Sequence, residues 1–437
     1  MGADTVITVI GAGLAGSEAA WQAAQMGVPV TLVEMRPIRS TPAHQTAYFA
    51  ELVCSNSLGG NHLSSPAGAL KEEMRRLGSL TLAVADNVSI PAGGALAVDR
   101  DAFSAEITRR IEAHPLITIK REEADRIPVG ICVVATGPLT SDALAKEIQA
   151  LTGAHDLYFY DAAAPVITLE SVDAAKAFWA GRWGKGGADY LNCPLDKEEY
   201  LAFHAAISTA QKHEGHIDEP LQFFAGCMPV EEIAARGVDT LRFGPMRPVG
   251  LIDPRTQRRP YAVVQLRREN AAGSLLNMVG FQTRMTWPEQ RRVFRMIPGL
   301  AQAEFVRYGV MHRNTFLNSP RILRPTYQWR GRDELFFAGQ MVGVEGYMES
   351  ACSGIMAGRN AARLARGLAL ETAPPDTMIG ALTHYITSAD PENFQPMNAN
   401  YGLLPPYPGI KGRAERKQAV AQRALASLEM WLAETDN

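Results

Sequence analysis

Three glycines and one glutamate near the start of the chain have the spacing of a phosphate cradle. Gly11, Gly13 and Gly16 form GxGxxG, with Ala12, Leu14 and Ala15 between them, directly after the β-branched run 5–10. In such a turn the first glycine permits the tight bend and the second lets the backbone approach a pyrophosphate. The third lets helix and strand pack closely. The anion then sits at a helix N-terminus, where free N–H groups and the helix dipole favour negative charge. Glu34 ends a second such run, 18 residues after Gly16, where a carboxylate accepts from both ribose hydroxyls. Two thiols form the other reactive set. Cys54 (LVCSNSLGG) and Cys227 (FFAGCMPVEE) lie in segments of small and polar residues, where a thiolate can act as a nucleophile. Cys132 in ICVVA reads as core, Cys352 as helix packing, and Cys193 stays open. Five cysteines with no CxxC spacing argue against a disulfide framework or zinc ribbon, and no metal site is expected.

The elements that would hold these residues follow from hydrophobic pattern. The run 5–10, the helix-like SEAAWQAAQMG and the run 28–34 make a strand–helix–strand unit. Helices are expected over 69–77, Arg100–Glu112, 349–364 and 413–432, and buried strands over 131–135 and 335–338. Gly59, Gly60, Gly93 and Gly94 punctuate what reads as a loop-rich stretch. Two further strand-end turns follow: ATG with Thr136 and Gly137, and GQMVGVEGYMES with Gly339, Gln340, Gly346, Tyr347 and Met348. This split resembles flavoproteins of the two-dinucleotide-binding class and favours FAD over NAD as the resident ligand. Many of those proteins carry Asp where Gln340 stands.

The fold class is therefore α/β. A Rossmann-like, glutathione-reductase-like FAD-binding domain (1–152 and 333–437, with a C-terminal helix) is interrupted by a mixed α+β insertion (153–332). With 46% hydrophobic and 20% charged residues, the chain is neither disordered nor collagenous. The absence of a long uncharged apolar run and of a basic n-region argues against a membrane span or signal peptide, so a cytoplasmic protein is expected.

Charge is segregated. Residues 236–332 hold 18 arginines, no lysine and 5 carboxylates, giving +13, against −12 for 1–235 and −4 for 333–437. Guanidinium forks fit phosphate and stack on flat rings, and aromatics lie among them, the footprint of RNA or another polyphosphate. The alternative is internal salt bridging. The adjacent pairs Arg258–Arg259, Arg267–Arg268 and Arg291–Arg292 cannot place both partners on one face of a regular element, so some of these are structural.

CSNSLGG, GCMPVEE, RYGVMHRNTFLNSP and GQMVGVEGYMES together resemble the folate- and FAD-dependent tRNA (uracil-5-)-methyltransferases of the MnmG/TrmFO flavoprotein family, over most of the chain. The larger MnmG branch is similar mainly in its flavin motifs and carries a long extra helical domain. Two positions depart from the pattern: Ala225 where Glu commonly precedes GCMP, and Val342 where Thr is common. The resemblance implies C5 methylation of the T-loop uridine of tRNA (conventional tRNA position 54). Methylenetetrahydrofolate would be the one-carbon donor, with FAD reduced by NADH or NADPH. It implies Cys227 as the C6 nucleophile and Cys54 as the second functional thiol, with the roles open to exchange. His312 and Tyr347, then Trp287, are candidate flat partners of the pterin, and Arg313 of the folate tail. The partners would be tRNA and folate, with no membrane and no obligate protein partner. The competing readings are an NAD(P)H:flavin oxidoreductase on a small molecule, a non-catalytic RNA-binding flavoprotein and a MnmG-like wobble-uridine modifier.

Overall fold

The computed structural model describes residues 5–41, 43–153, 157–162, 164–184, 187–213, 228–309, 311–407, 409–410 and 412–435. Strand β1 (Ile7–Ile10) leads into helix α1 (Leu14–Gln25), which returns to strand β2 (Val30–Glu34). β1 lies between β2 and the strand Cys132–Val134, parallel to both, with Ile7 opposite Val30 and Thr8 opposite Cys132. Ile117–Arg121 extends this sheet beyond β2. Arg332–Phe337 extends it on the other side, parallel to Cys132–Val134, and Gln328–Trp329 adds an antiparallel edge. The order reverses at β1, and in such sheets ligands bind outside the carboxyl ends of the strands at that switch point. Ile7, Val9, Cys132, Val133, Leu335 and Phe336 are buried, as strands covered on both faces require.

α1 and the long helix Tyr347–Ala365 cross on this sheet with backbone against backbone. A Cβ on Gly354 would stand 2.7 Å from the Ala15 Cα, and one on Gly358 2.6 Å from the Ala19 Cα. Small residues on both helices make the approach possible.

A second sheet is antiparallel throughout. Its order is Phe178–Trp179, Tyr190–Leu195, Ala262–Arg268, Leu275–Met278, Val166–Thr168, Phe305–Arg307. Alternation explains its two faces. Leu191, Cys193, Leu195, Ala262, Val264 and Leu266 enter a core of their own with helices Lys197–Ser208 and Trp287–Phe294. Asn192, Gln265 and Arg267 alternate with them and are also buried, but as hydrogen-bonded polar groups. Phe316, Leu317, Ile322, Leu323 and Tyr327 pack in the first core, with the flavin-type sheet.

The stretch read as loop-rich is more ordered than its glycines suggest. Ser57–Gly60, Ala95–Val98 and Ser89–Ile90 form a three-stranded sheet, and Leu80–Asn87 is a helix. Elsewhere the expected helices and strands are present with ends shifted by a few residues, and Arg100–Glu112 ends where expected. No helix among the described residues is long and apolar enough to cross a membrane.

Candidate active site

The first glycine turn has the geometry of a dinucleotide cradle. Gly11 adopts φ +93°, and a Cβ there would stand 2.7 Å from the Ala135 carbonyl oxygen. Gly16 has no room either: a Cβ would overlap the Gly11 carbonyl, whose carbon lies 2.9 Å away. Gly13 differs, because nothing lies within 4 Å of the place its Cβ would take. That open volume, at the start of a helix with no side-chain cap, is where a pyrophosphate fits. The adjoining cleft is lined by Gly11, Gly13, Glu34, Arg36, His44 and Thr136. Gly137 follows Thr136 at φ +69°.

Glu34 braces this turn. Its Oε2 accepts from the Ala12 N–H (2.8 Å), and its Oε1 from the Arg36 N–H (3.0 Å) and Nε (2.8 Å). Three of about four carboxylate lone-pair positions are thus taken, leaving room for one ribose hydroxyl rather than two. Burial pushes the Glu34 carboxyl up, but the Arg36 contact and the two backbone donors outweigh it and hold it below its ordinary 4.5. A depressed carboxyl contributes its stabilisation fully above 4.5 and loses it as pH falls through the folded-state value. Acid titration below pH 4.5 is therefore expected to release the dinucleotide, read as flavin fluorescence set free. A Glu34→Gln chain should bind roughly tenfold more weakly at pH 7 and lack that acid step.

The late turn mirrors the first. Gly339, Gly343 and Gly346 have φ of +89°, +83° and +116°, and Gly346 starts the helix Tyr347–Ala365, again without a side-chain cap. Gln340 is tied by its Nε2 to Glu345 Oε2 at 2.7 Å, so its amide is oriented within the turn. Met348 is buried. Two uncapped helix N-termini, each begun by a glycine on helices that cross where Gly354 meets Ala15, suit the two ends of a dinucleotide flavin.

Cys54 reaches this turn through Tyr347. The phenol oxygen accepts from the Cys54 N–H (2.7 Å) and the Ser55 N–H (3.1 Å). Burial holds the phenol well above its ordinary range, so it stays protonated. From the other side, Arg267 grips the same segment: Nη2 donates to Ser55 Oγ (2.8 Å) and Asn56 Oδ1 (2.9 Å). Asn56 Nδ2 donates to the Val98 and Arg268 carbonyls. Arg307 Nη1 donates to the Val53 carbonyl (3.2 Å), and Arg100 Nε to Glu269 Oε1 (2.6 Å). The half-buried Cys54 thus sits in a loop bonded to Tyr347 of the flavin-type turn and to two guanidiniums, Arg267 and Arg307, while Arg100 and Arg307 pair with Glu269. Lys71 donates to the Gly60 carbonyl (2.8 Å), and burial lowers its ammonium to about 8 against the pull of Glu349.

The other described thiols are inert. Burial raises Cys132 and Cys193 to about 12 and Cys352 well above 9, which settles the open case of Cys193 as core. Cys227 and Ala225 lie outside the described residues. The segment after Cys227 does not: Val230 N–H donates to the Gln282 carbonyl (2.7 Å), and Glu231 accepts from Thr283 Oγ1 (2.8 Å) and the Arg284 N–H (2.7 Å). His312 and Arg313 lie on the strand Met311–Phe316, paired with Leu157–Ala162. Just past its end, the Leu317 N–H donates to the Met341 carbonyl in the late turn (2.7 Å). Trp287 opens the helix Trp287–Phe294 and is half exposed. Val342 is buried. Among the described residues, no group of His, Cys, Asp and Glu could hold a metal ion.

The arginine-rich segment is partly used inside the fold. Arg242, Arg255, Arg284, Arg292 and Arg324 pair with Asp239, Asp253, Glu232, Glu289 and Asp333. The strand pair divides as strand geometry requires: Arg267 turns inward to Asn56, whereas Arg268 lies over the Trp179 ring at 4.5 Å. Arg258 and Arg259 are exposed beside Lys176 and Lys197 in a separate cleft.

The family model described as Glucose inhibited division protein A matches residues 6–369. "Methylenetetrahydrofolate--tRNA-(uracil-5-)-methyltransferase TrmFO" of Enterococcus faecalis is 60% identical over 420 residues, covering 96% of this chain and 97% of that protein. Its namesake from Heliobacterium modesticaldum is 61% identical over 430 residues, covering 98% of each. Among solved structures, Aquifex aeolicus GidA in its form I crystal superposes with a TM-score of 0.69 at 18% identity, covering 97% of this chain and 76% of that one.

Proposed function

The chain belongs to the Glucose inhibited division protein A family, and from that membership we infer that it is a methylenetetrahydrofolate- and FAD-dependent tRNA (uracil-5-)-methyltransferase. One observation carries the reading at the level of chemistry: the Cys54 loop is bonded through the Tyr347 hydroxyl to the turn that opens the second cofactor helix. A thiol and a flavin-type turn held this close serve a reaction that needs both nucleophilic and redox chemistry. A plain flavin oxidoreductase leaves the clamped thiol loop without a task.

FAD fits the residues present. Gly13 and the first turn of α1 would take the pyrophosphate, Glu34 the adenosine ribose, and Gly339–Gly346 with the late helix N-terminus the flavin end. When bound, FAD supplies the reducing equivalents that turn a methylene into a methyl group. NADH or NADPH supplies the electrons in turn.

The chain's own residues do the rest. Uracil C5 is a poor nucleophile until a thiolate adds at C6 and makes the ring an enolate. Cys227 is that thiolate, and the cationic clamp of Arg100, Arg267 and Arg307 sets a field that favours the enolate oxygen. C5 then takes the methylene carbon of the folate. Cys54, held beside the late turn, accepts the C5 proton as the methylene–nitrogen bond breaks and tetrahydrofolate leaves. Hydride added to the exocyclic methylene makes the methyl group and expels Cys227 from C6 as thiolate. His312 and Arg313 receive the pterin ring and the folate tail. The substrate base is the T-loop uridine, which must swing out of its loop to be reached. The enzyme works in the cytoplasm.

The test uses the purified yellow protein with unmodified tRNA, methylenetetrahydrofolate labelled in its one-carbon unit, and NAD(P)H. Label is expected in 5-methyluridine of the T-loop. Label in a wobble uridine, or none in tRNA while NAD(P)H is consumed, would overturn the reading.

A further inference from the structure

Three aromatic rings in the insertion stand in a parallel file. Phe305 and Tyr308 have centroids 5.2 Å apart at 14°, and Tyr308 and Trp287 5.3 Å apart, again at 14°. The file is rooted in the core: Phe305 leans on Phe294, which is fully buried and packs edge-on against Phe281. It ends at Trp287, which is 54% exposed although one of its faces is covered by Tyr308. Arg291 fixes the middle ring by donating to the Tyr308 hydroxyl from Nε (3.1 Å) and Nη2 (2.7 Å). A large indole held rigid by two rings beneath it, with its outer surface in water, is costly to expose and has little value as packing.

The position is as informative as the stack. Arg307, between Phe305 and Tyr308, holds the Val53 carbonyl next to Cys54. Gln282, Thr283 and Arg284, just before Trp287, hold the segment 230–232 that follows Cys227. Residues adjoining the stack in sequence therefore hold both the Cys54 loop and the segment that follows Cys227. Its helix carries Arg291, Arg292 and Arg295 against a single acid, Glu289, an excess of positive charge suited to phosphates flanking a base.

We infer that Trp287 is a stacking platform for an unpaired nucleobase of the tRNA, the fourth ring of the file, which grips the loop beside the base that enters the active site. This rests on the tRNA reading above. It assigns Trp287 to RNA rather than to the pterin, because the indole is open to solvent instead of lying against the late turn, where Tyr347 and the Cys54 loop meet. Base–aromatic stacking is sequence-tolerant, so the contact would position the loop without reading its sequence.

The experiment compares wild type, Trp287→Ala and Trp287→Phe, each checked for flavin content and melting temperature. Steady-state methylation is followed with tRNA varied at saturating folate, and with folate varied at saturating tRNA. Trp287→Ala should raise the KM for tRNA by roughly tenfold, and Trp287→Phe should restore most of it. The KM for methylenetetrahydrofolate should move far less. A tRNA KM equal to wild type in Trp287→Ala overturns the platform, and so does a rise confined to the folate KM, which would return Trp287 to the pterin. Wild-type protein that neither binds nor methylates tRNA overturns the proposed function itself, and the platform falls with it.

Discussion

Replacing Cys227 by alanine is expected to lower methylation by roughly 10³-fold or more, since loss of a covalent nucleophile is among the largest single effects in enzymes. Without addition at C6, C5 of uracil has no carbanion character, and a water in the vacated space is too weak a nucleophile to substitute. Cys54→Ala is expected to fall by a comparable factor for a different reason, and denaturing gels separate the two. If Cys227 adds to C6, Cys54→Ala still forms the bond to the base but cannot clear the C5 proton, so a protein–tRNA adduct accumulates. Cys227→Ala then forms none. The reverse pattern exchanges the roles. Methylation at the wild-type rate in either variant removes that thiol from the mechanism. Cys132→Ala and Cys193→Ala should show no adduct phenotype, because both thiols are fully buried and held protonated near 12.

What the sequence discloses here is what is local. GxGxxG, the run into Glu34 and the late GQMVGVEGY turn are read from neighbours a few residues apart, and the fold places all of them at one end of one sheet. Cys132 reads as core from its own strand. The clamp on Cys54 is different in kind. Asn56 meets Arg267 from 211 residues away, and Cys54 meets Tyr347 from 293. No periodicity announces such pairs. The arginine-rich segment shows the same limit: spacing says that Arg267 and Arg268 face opposite ways, but not that Arg267 is the one turned in. Gly59, Gly60, Gly93 and Gly94 suggested loops because glycine is poor in strands. The short sheet they edge is held by partners such as Gly60 opposite Ala95 that composition does not reveal. Trp287 reads in the sequence as a flat partner of the pterin. Its stacking on Tyr308, 21 residues on, is the observation from which we infer a nucleobase instead.

The largest structural effect is expected at Gly354, and its contrast with Gly13 tests how the cofactor site is built. Gly354 lies where the late helix crosses α1, and a methyl group there would stand 2.7 Å from both the Cα and the carbonyl carbon of Ala15. Backbone cannot rotate out of the way as a side chain can. The two helices must separate, and overpacking of this kind costs about 3 kcal/mol or more. The same crossing fixes the distance between the two uncapped helix N-termini, so parting the helices also parts the two ends of the flavin site. Gly354→Ala should therefore lose both stability and flavin: a melting temperature lower by several degrees in the apo form, and little absorbance near 450 nm after purification. Gly13→Ala meets nothing within 4 Å, and its φ of −70° suits alanine. Its apo form should melt as wild type does, while flavin is lost because the methyl group occupies the space kept for the pyrophosphate. If Gly13→Ala retains flavin at wild-type affinity, the pyrophosphate does not pass over Gly13. A Gly354→Ala chain that melts normally would mean that the crossing is looser than the short Ala15 approach implies.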